Sequence, residues 1–175
     1  MENGPIVITG FMGSGKSTVA RSLARRLNSR MIDLDEEILK EEGRSAKQII
    51  EEEGEPSFRE IETRVLSDLL QDNAAEVIAL GGGAWTLPRN RHLITSAGGI
   101  SVWLDAPFSL CWQRIVAGIV AGKDKRPLAR TEQEALDIYT ERRAAYAFAD
   151  LHVKATGNKT VNEIALEIAK ALTGR

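Results

Sequence analysis

The chain has 175 residues, 43% of them apolar, a size and composition that predict one globular domain spanning 1–175. Its 25 acidic residues outnumber 23 lysines and arginines, and the net charge of −2 excludes the broad basic surface that nucleic acid or an anionic membrane demands. A single cysteine, Cys111 between Leu110 and Trp112, excludes an internal disulfide and predicts a buried, inert thiol in a cytoplasmic protein.

The N-terminus runs straight into Pro5–Thr9, an apolar run that predicts the first strand, with no basic-then-apolar leader. No apolar stretch approaches the roughly 20 residues of a membrane span. Four further short runs, Arg30–Leu34, Glu76–Leu80, Gly99–Leu104 and Leu151–Ala155, read as strands. They are continuously apolar rather than alternating, which suits a parallel sheet covered on both faces.

Between the strands the apolar period changes to that of helices. Val19, Leu23 and Leu27 form one stripe after the first strand, and Phe58, Ile61, Val65 and Leu69 form another before the third. Ser45-Ala-Lys-Gln48, Ser57-Phe-Arg-Glu60, Thr131-Glu-Gln-Glu134 and Thr160-Val-Asn-Glu163 have capping-box spacing and predict four helix starts. Strands alternating with helices make the fold α/β with right-handed crossovers. Glu51–Glu53 and the Arg25-Arg26 pair read as solvated helix faces.

The strongest local signal is Gly10-Phe-Met-Gly13-Ser14-Gly15-Lys16-Ser17, a G-x-x-x-x-G-K-[ST] P-loop between a predicted strand and a predicted helix. Its glycines let backbone N–H groups turn towards phosphate oxygens, Lys16 adds a full charge there, and the Ser17 hydroxyl is placed for Mg²⁺. A P-loop alone does not distinguish GTPases, motor-type ATPases and small-molecule kinases.

Asp33-Leu-Asp35 closes the second strand, so both carboxylates are expected at the sheet's carboxyl edge, facing one space. One would serve Mg²⁺ and the other a reacting hydroxyl; the competing reading makes Asp35 the cap of a helix over Glu36–Glu42. Arg59 and Glu62 share a helix face, either as a carboxylate-binding fork held by its neighbour or as a plain surface ion pair. Gly81-Gly82-Gly83 follows the third strand and permits close approach by a ligand, where a Walker-B strand ends in an acid. Ile115 to Ala129 holds Gly118, Gly122 and the basic Lys123-Asp-Lys-Arg126-Pro127, the features of a lid whose arginine meets an anion. In Glu141-Arg142-Arg143, either arginine is surface charge or one of them faces a substrate.

Together these pieces resemble the shikimate kinase family over nearly the whole chain. The resemblance rests on Gly-Phe-Met-Gly-Ser-Gly-Lys-Ser-Thr18, Asp33-x-Asp35, Phe58-Arg59-x-x-Glu62, Gly81–Gly83, Arg126-Pro-Leu and Glu141-Arg142-x-x-x-Tyr146, six motifs in order. It implies a P-loop kinase fold with a five-stranded parallel sheet of order 2-3-1-4-5, a substrate-binding segment at about 33–62 and a lid at about 115–129. It implies transfer of the γ-phosphoryl of ATP to the 3-hydroxyl of shikimate with Mg²⁺, in aromatic amino-acid biosynthesis, by a cytoplasmic monomer.

Carried over by matching positions, Gly13, Ser14, Gly15, Lys16, Ser17 and Thr18 bind the nucleotide, and Ser17 and Asp33 hold the metal. Asp35 binds the reacting hydroxyls and is the base candidate. Arg59, Arg142 and the Gly81, Gly82 and Gly83 backbone take the substrate carboxylate, and Arg126 is the lid arginine on the ATP phosphates. Arg142 rather than Arg143 is chosen because it lies four before Tyr146. The sequence departs from the family pattern in Ala129, which follows Leu128, and in Lys154–Asn158, which matches the adenine loop loosely. Other readings are a kinase for another hydroxy acid such as gluconate, or a nucleotide-binding switch. The latter lacks an Asn-Lys-x-Asp motif, because Asn158-Lys159-Thr160-Val161 has no acid.

Overall fold

A computed structural model describes residues 4–72, 77–121 and 131–173. Five parallel strands, β1 (Ile6–Thr9), β2 (Met31–Asp33), β3 (Val77–Ala79), β4 (Ile100–Asp105) and β5 (Leu151–Lys154), form one sheet in the order β2-β3-β1-β4-β5. Every expected strand is present, each within about two residues of its anticipated ends. Val7 and Ile8 are successive and point to opposite faces, yet both are completely buried. The sheet is therefore covered on both sides, which is why its strands read as unbroken apolar runs.

Helix α1 (Lys16–Leu27) follows β1, and α2 (Leu34–Glu42), α3 (Ala46–Glu53) and α4 (Glu55–Gln71) separate β2 from β3. A 3-10 turn (Ala84–Thr86) and α5 (Pro88–Ser96) lead to β4; α6 (Phe108–Val120) and α7 (Glu132–Tyr146) lead to β5, and α8 (Val161–Thr173) ends the described chain. The α1 stripe buries Val19 and Leu23, and Leu27 sits at its edge. Phe58, Val65 and Leu69 bury the α4 stripe as expected. None of the described helices is long and apolar enough to cross a membrane.

Three of the four capping boxes form, at Ser45/Gln48, Thr131/Glu134 and Thr160/Glu163. The fourth does not. Helix α4 begins earlier, at Glu55 behind Gly54 and with Pro56 in its first turn, so Ser57 is already helical and its hydroxyl donates to Glu53 at 2.7 Å. Proline is well placed in a first turn, where its missing N–H costs nothing, and that start pre-empts the later one.

Cys111 is fully buried in α6, and burial pushes its thiol up to about 11, as an inert core cysteine requires. Helix α6 ends at Val120; Arg126 and the rest of the expected lid, 122–129, lie outside the described residues.

Candidate active site

The P-loop is where the sequence placed it, between β1 and α1. Gly15 caps α1 with φ 98° and Gly13 has φ 73°, angles that L side chains rarely adopt. A Cβ on Gly13 would also lie 2.6 Å from the Cys111 carbonyl, so the loop is pressed onto α6. The Lys16 side chain is mostly buried, its Nζ donating to the Phe11 carbonyl at 2.9 Å. That bond curls the ammonium back over the loop.

Asp33 and Asp35 line one cavity, as expected, but strand β2 stops at Asp33 and Asp35 lies in the first turn of α2, so the strand-to-helix turn rather than strand alternation brings them there. Asp33, not Asp35, is the helix cap: its carboxylate accepts from the Asp35 N–H at 3.1 Å. The other Asp33 oxygen, Oδ2, accepts a short hydrogen bond from the Ser17 hydroxyl. Asp35 also reaches towards the glycine loop. A Cβ on Gly81 would meet its Oδ1 at 2.9 Å.

Two cavities lie at this edge of the sheet. One, of about 250 Å³, is lined by the P-loop residues Gly13, Gly15, Lys16, Ser17 and Thr18 together with Asp33 and Leu80. The other, of about 240 Å³, has Ala46, Ile50 and Phe58 as apolar wall and Arg59, Glu62, Gly81, Gly82, Gly83 and Arg142 as polar wall. Met12 and Asp35 line both, so Asp35 stands at the boundary between a phosphate chamber and an arginine chamber.

Within the arginine chamber, Arg59 is clamped. Its Nη1 donates to Glu62 at 2.8 Å and its Nη2 to Glu55 at 2.8 Å. The guanidinium also lies against Gly83, where a Cβ would come within 2.3 Å of Nη2. Burial disfavours the charge on Arg59, but the carboxylates of Glu62 and Glu55 outweigh it and leave its pKa raised. Arg142 is different: its Nη1 is buried with no hydrogen-bond partner among the described residues, near Gly82. Arg143, by contrast, donates to Asp105 at 2.8 Å and lies over Trp103 and Tyr139. The choice between adjacent arginines thus has a structural counterpart. Tyr146, one turn beyond Arg142, donates to the Gly82 carbonyl at 2.5 Å and pins the glycine loop.

Three features were not anticipated. Arg114 on α6 lines the phosphate chamber, its Nη1 donating to the Gly13 and Ser14 carbonyls at 3.1 and 3.2 Å. Its only sequence signal is that it is the one charged residue of the largely apolar α6. Next, the Ser14 hydroxyl is buried and unpaired among the described residues.

The third is Glu62. It is 1% exposed, one oxygen bound to Arg59 and the other, Oε1, buried without a partner among the described residues and facing Gly81. Burial is the main influence on its carboxyl; Arg59 opposes it, the nearby Asp35 charge adds to it, and the pKa rises from 4.5 to about 7. The native state therefore holds this proton more tightly than the unfolded chain. The associated stability is complete below about pH 4.5 and is lost as pH rises through about 7. Glu62→Gln should abolish this dependence. In urea titrations between about pH 5 and 8, wild-type stability should fall relative to the variant by roughly 1–3 kcal/mol. A constant difference would show that Glu62 is ionised throughout.

A family model described as shikimate kinase matches residues 12–173. The chain is 40% identical over 173 residues to the shikimate kinase of Cereibacter sphaeroides, covering 97% of this chain and 83% of that one. It is 42% identical to that of Geobacter sulfurreducens, covering 94% and 88%. Among solved structures it is similar to the shikimate kinase of Aquifex aeolicus, with TM-score 0.81, 39% identity and coverage of 97% and 96%. It is also similar to the Acinetobacter baumannii shikimate kinase in complex with shikimate, with TM-score 0.87, 32% identity and coverage of 99% and 94%. With a match across nearly its whole length, and with its P-loop, acidic pair and arginine chamber at one sheet edge, the chain belongs to the shikimate kinase family.

Proposed function

We propose that this protein transfers the γ-phosphoryl group of ATP to the 3-hydroxyl of shikimate, giving shikimate 3-phosphate and ADP, in aromatic amino-acid biosynthesis. The observation that carries the reading is the pair of chambers sharing Asp35: one built for phosphate, the other for an acid. The shikimate-bound relative from Acinetobacter baumannii supports the choice of acid.

In this reading the backbone of Gly13, Ser14 and Gly15, the Thr18 turn and the Lys16 ammonium bind the triphosphate. Ser17 and Asp33 would hold Mg²⁺; a hydroxyl beside a carboxylate at the end of β2 is the sparse oxygen donor set that this ion accepts with phosphates and water. Bound there, the ion would neutralise charge on the transferring group. Arg142 and Arg59 grip the substrate carboxylate, with the N–H groups of Gly81, Gly82 and Gly83 beside them. That grip turns the reacting hydroxyl towards Asp35.

Asp35 orients the hydroxyl and accepts its proton as the oxygen bonds to the γ-phosphorus and the bond to the β-phosphate oxygen breaks. The transition state is loose, so Asp35 contributes chiefly through alignment. Arg126 covers the phosphates as the lid arginine; its place in a basic run after Gly118 and Gly122, within 115–129, is the support. The lone buried thiol suits a cytoplasmic enzyme.

A coupled ADP-release assay over a panel of acids tests this. Shikimate should be turned over, and its methyl ester should lose on the order of 10²-fold in kcat/KM, because the arginines then face a neutral group. Gluconate turned over as well as shikimate, or an unimpaired ester, would overturn the substrate assignment.

A further inference from the structure

A third cavity, of about 670 Å³, lies between α1 and α8, outside the two chambers. Its lining residues are Thr18, Arg21, Ser22, Arg25 and Arg26 from α1 with Val161 and Asn162 from α8. Three guanidiniums, three neutral polar side chains and one valine meet there, and no carboxylate. Such a set donates hydrogen bonds and supplies positive charge with nothing to balance it.

Like Arg30, Arg91, Arg114 and Arg142, the three arginines are not committed to carboxylates among the described residues. Arg44, Arg59, Arg64, Arg89 and Arg143 each pair with a carboxylate. Arg21, Arg25 and Arg26 pair with none among the described residues, in a chain where acids outnumber bases. The helix dipole accounts for Arg25 and Arg26, which occupy the last turn of α1. It does not account for Arg21, which is mid-helix and one turn from the like charge of Arg25, an arrangement that costs about 0.2–0.5 kcal/mol unless something offsets it.

The groove has a fixed floor. The Ser22 hydroxyl donates to Asn162 Oδ1 at 2.8 Å and ties α1 to α8. That bond uses the amide's acceptor and leaves both Nδ2 hydrogens without a partner among the described residues.

We propose that this groove is a second anion site, in which Arg21, Arg25 and Arg26 bind a multiply charged, phosphate-bearing small molecule. Guanidiniums match phosphate oxygens in pairs, and the space falls in the size range of metabolite pockets. The groove contains no aromatic side chain for a base to stack on, so recognition rests on charge rather than on a nucleobase. Thr18 lines both this groove and the phosphate chamber, so an occupant is close enough to the nucleotide for each to influence the other's affinity. The proposal does not depend on which acid the kinase phosphorylates.

Pyrophosphate is the probe. The P-loop is first saturated with ADP, and pyrophosphate is then titrated by calorimetry, with amide shifts followed by NMR. One site is expected, with shifts at Arg21, Ser22 and Asn162, and it should weaken as ionic strength rises. The double variant R21Q/R25Q should lose about tenfold or more in pyrophosphate affinity while keeping wild-type unfolding temperature and kinase activity without the probe. Absence of binding to wild type would overturn the proposal. So would equal affinity in the double variant, or shifts confined to Gly10–Ser17, which would mean that pyrophosphate had displaced ADP.

Discussion

Lys16→Ala is expected to lower kcat by on the order of 10³-fold while shifting the unfolding midpoint little. The asymmetry follows from what the side chain does in the folded protein. Its ammonium donates to the Phe11 carbonyl at the mouth of the phosphate chamber, and no apolar packing depends on it. In the proposed mechanism the same ammonium faces, during transfer, a phosphoryl group whose charge is spreading over its oxygens, in a site where water is displaced and each charge counts for more. Steady-state rates with saturating ATP, alongside thermal melts, make the comparison. A variant that folds and turns over at near-wild-type rate would remove the P-loop from the mechanism.

Arg142→Ala should raise the KM for the acid by about 30- to 1000-fold, corresponding to roughly 2–4 kcal/mol, with the ATP KM changed far less. Arg142 keeps a buried Nη1 without a partner among the described residues, so part of its donor capacity is left for a ligand, while its guanidinium also meets the Tyr146 hydroxyl. Arg59→Ala should behave differently. It strips the clamp from Glu62, whose carboxyl is buried, and so should lower stability as well as acid affinity. Measuring both variants by KM and by urea unfolding separates an anchor held in reserve from one already engaged. Equal loss for ATP and acid in Arg142→Ala would make this residue a support of the whole edge rather than the acid's partner.

The strands and the P-loop were legible because each is a local pattern with a local cause. An apolar run of four or five residues ending in Gly-x-x-x-x-Gly-Lys-Ser is specified by its own residues. The order of the sheet was not legible that way; it came with the family resemblance, since nothing in a strand's composition names its neighbours. Misreadings arose where two local signals competed. Ser57 has the spacing of a cap, but Gly54 and Pro56 start the helix first. Asp33 and Asp35 have strand spacing, but the chain turns helical between them, and the cap falls to the residue expected to do something else. Arg114 was missed because its partners are backbone carbonyls a hundred residues away, a relationship that leaves no trace in spacing.

The wall shared by the two chambers is thin, consisting of Met12 and Asp35. A molecule carrying an anionic group at each end can therefore be held from both sides at once, by Lys16 and by Arg142. The second contact is then intramolecular, and its strength is set by an effective concentration rather than by the concentration in solution. The phosphorylated acid is such a bivalent ligand, whereas neither ADP nor the starting acid is. Under the proposed roles of Lys16 and Arg142, departure of the product requires two attachments to open in succession, and the same geometry that aligns the hydroxyl makes release a natural place for the catalytic cycle to pause.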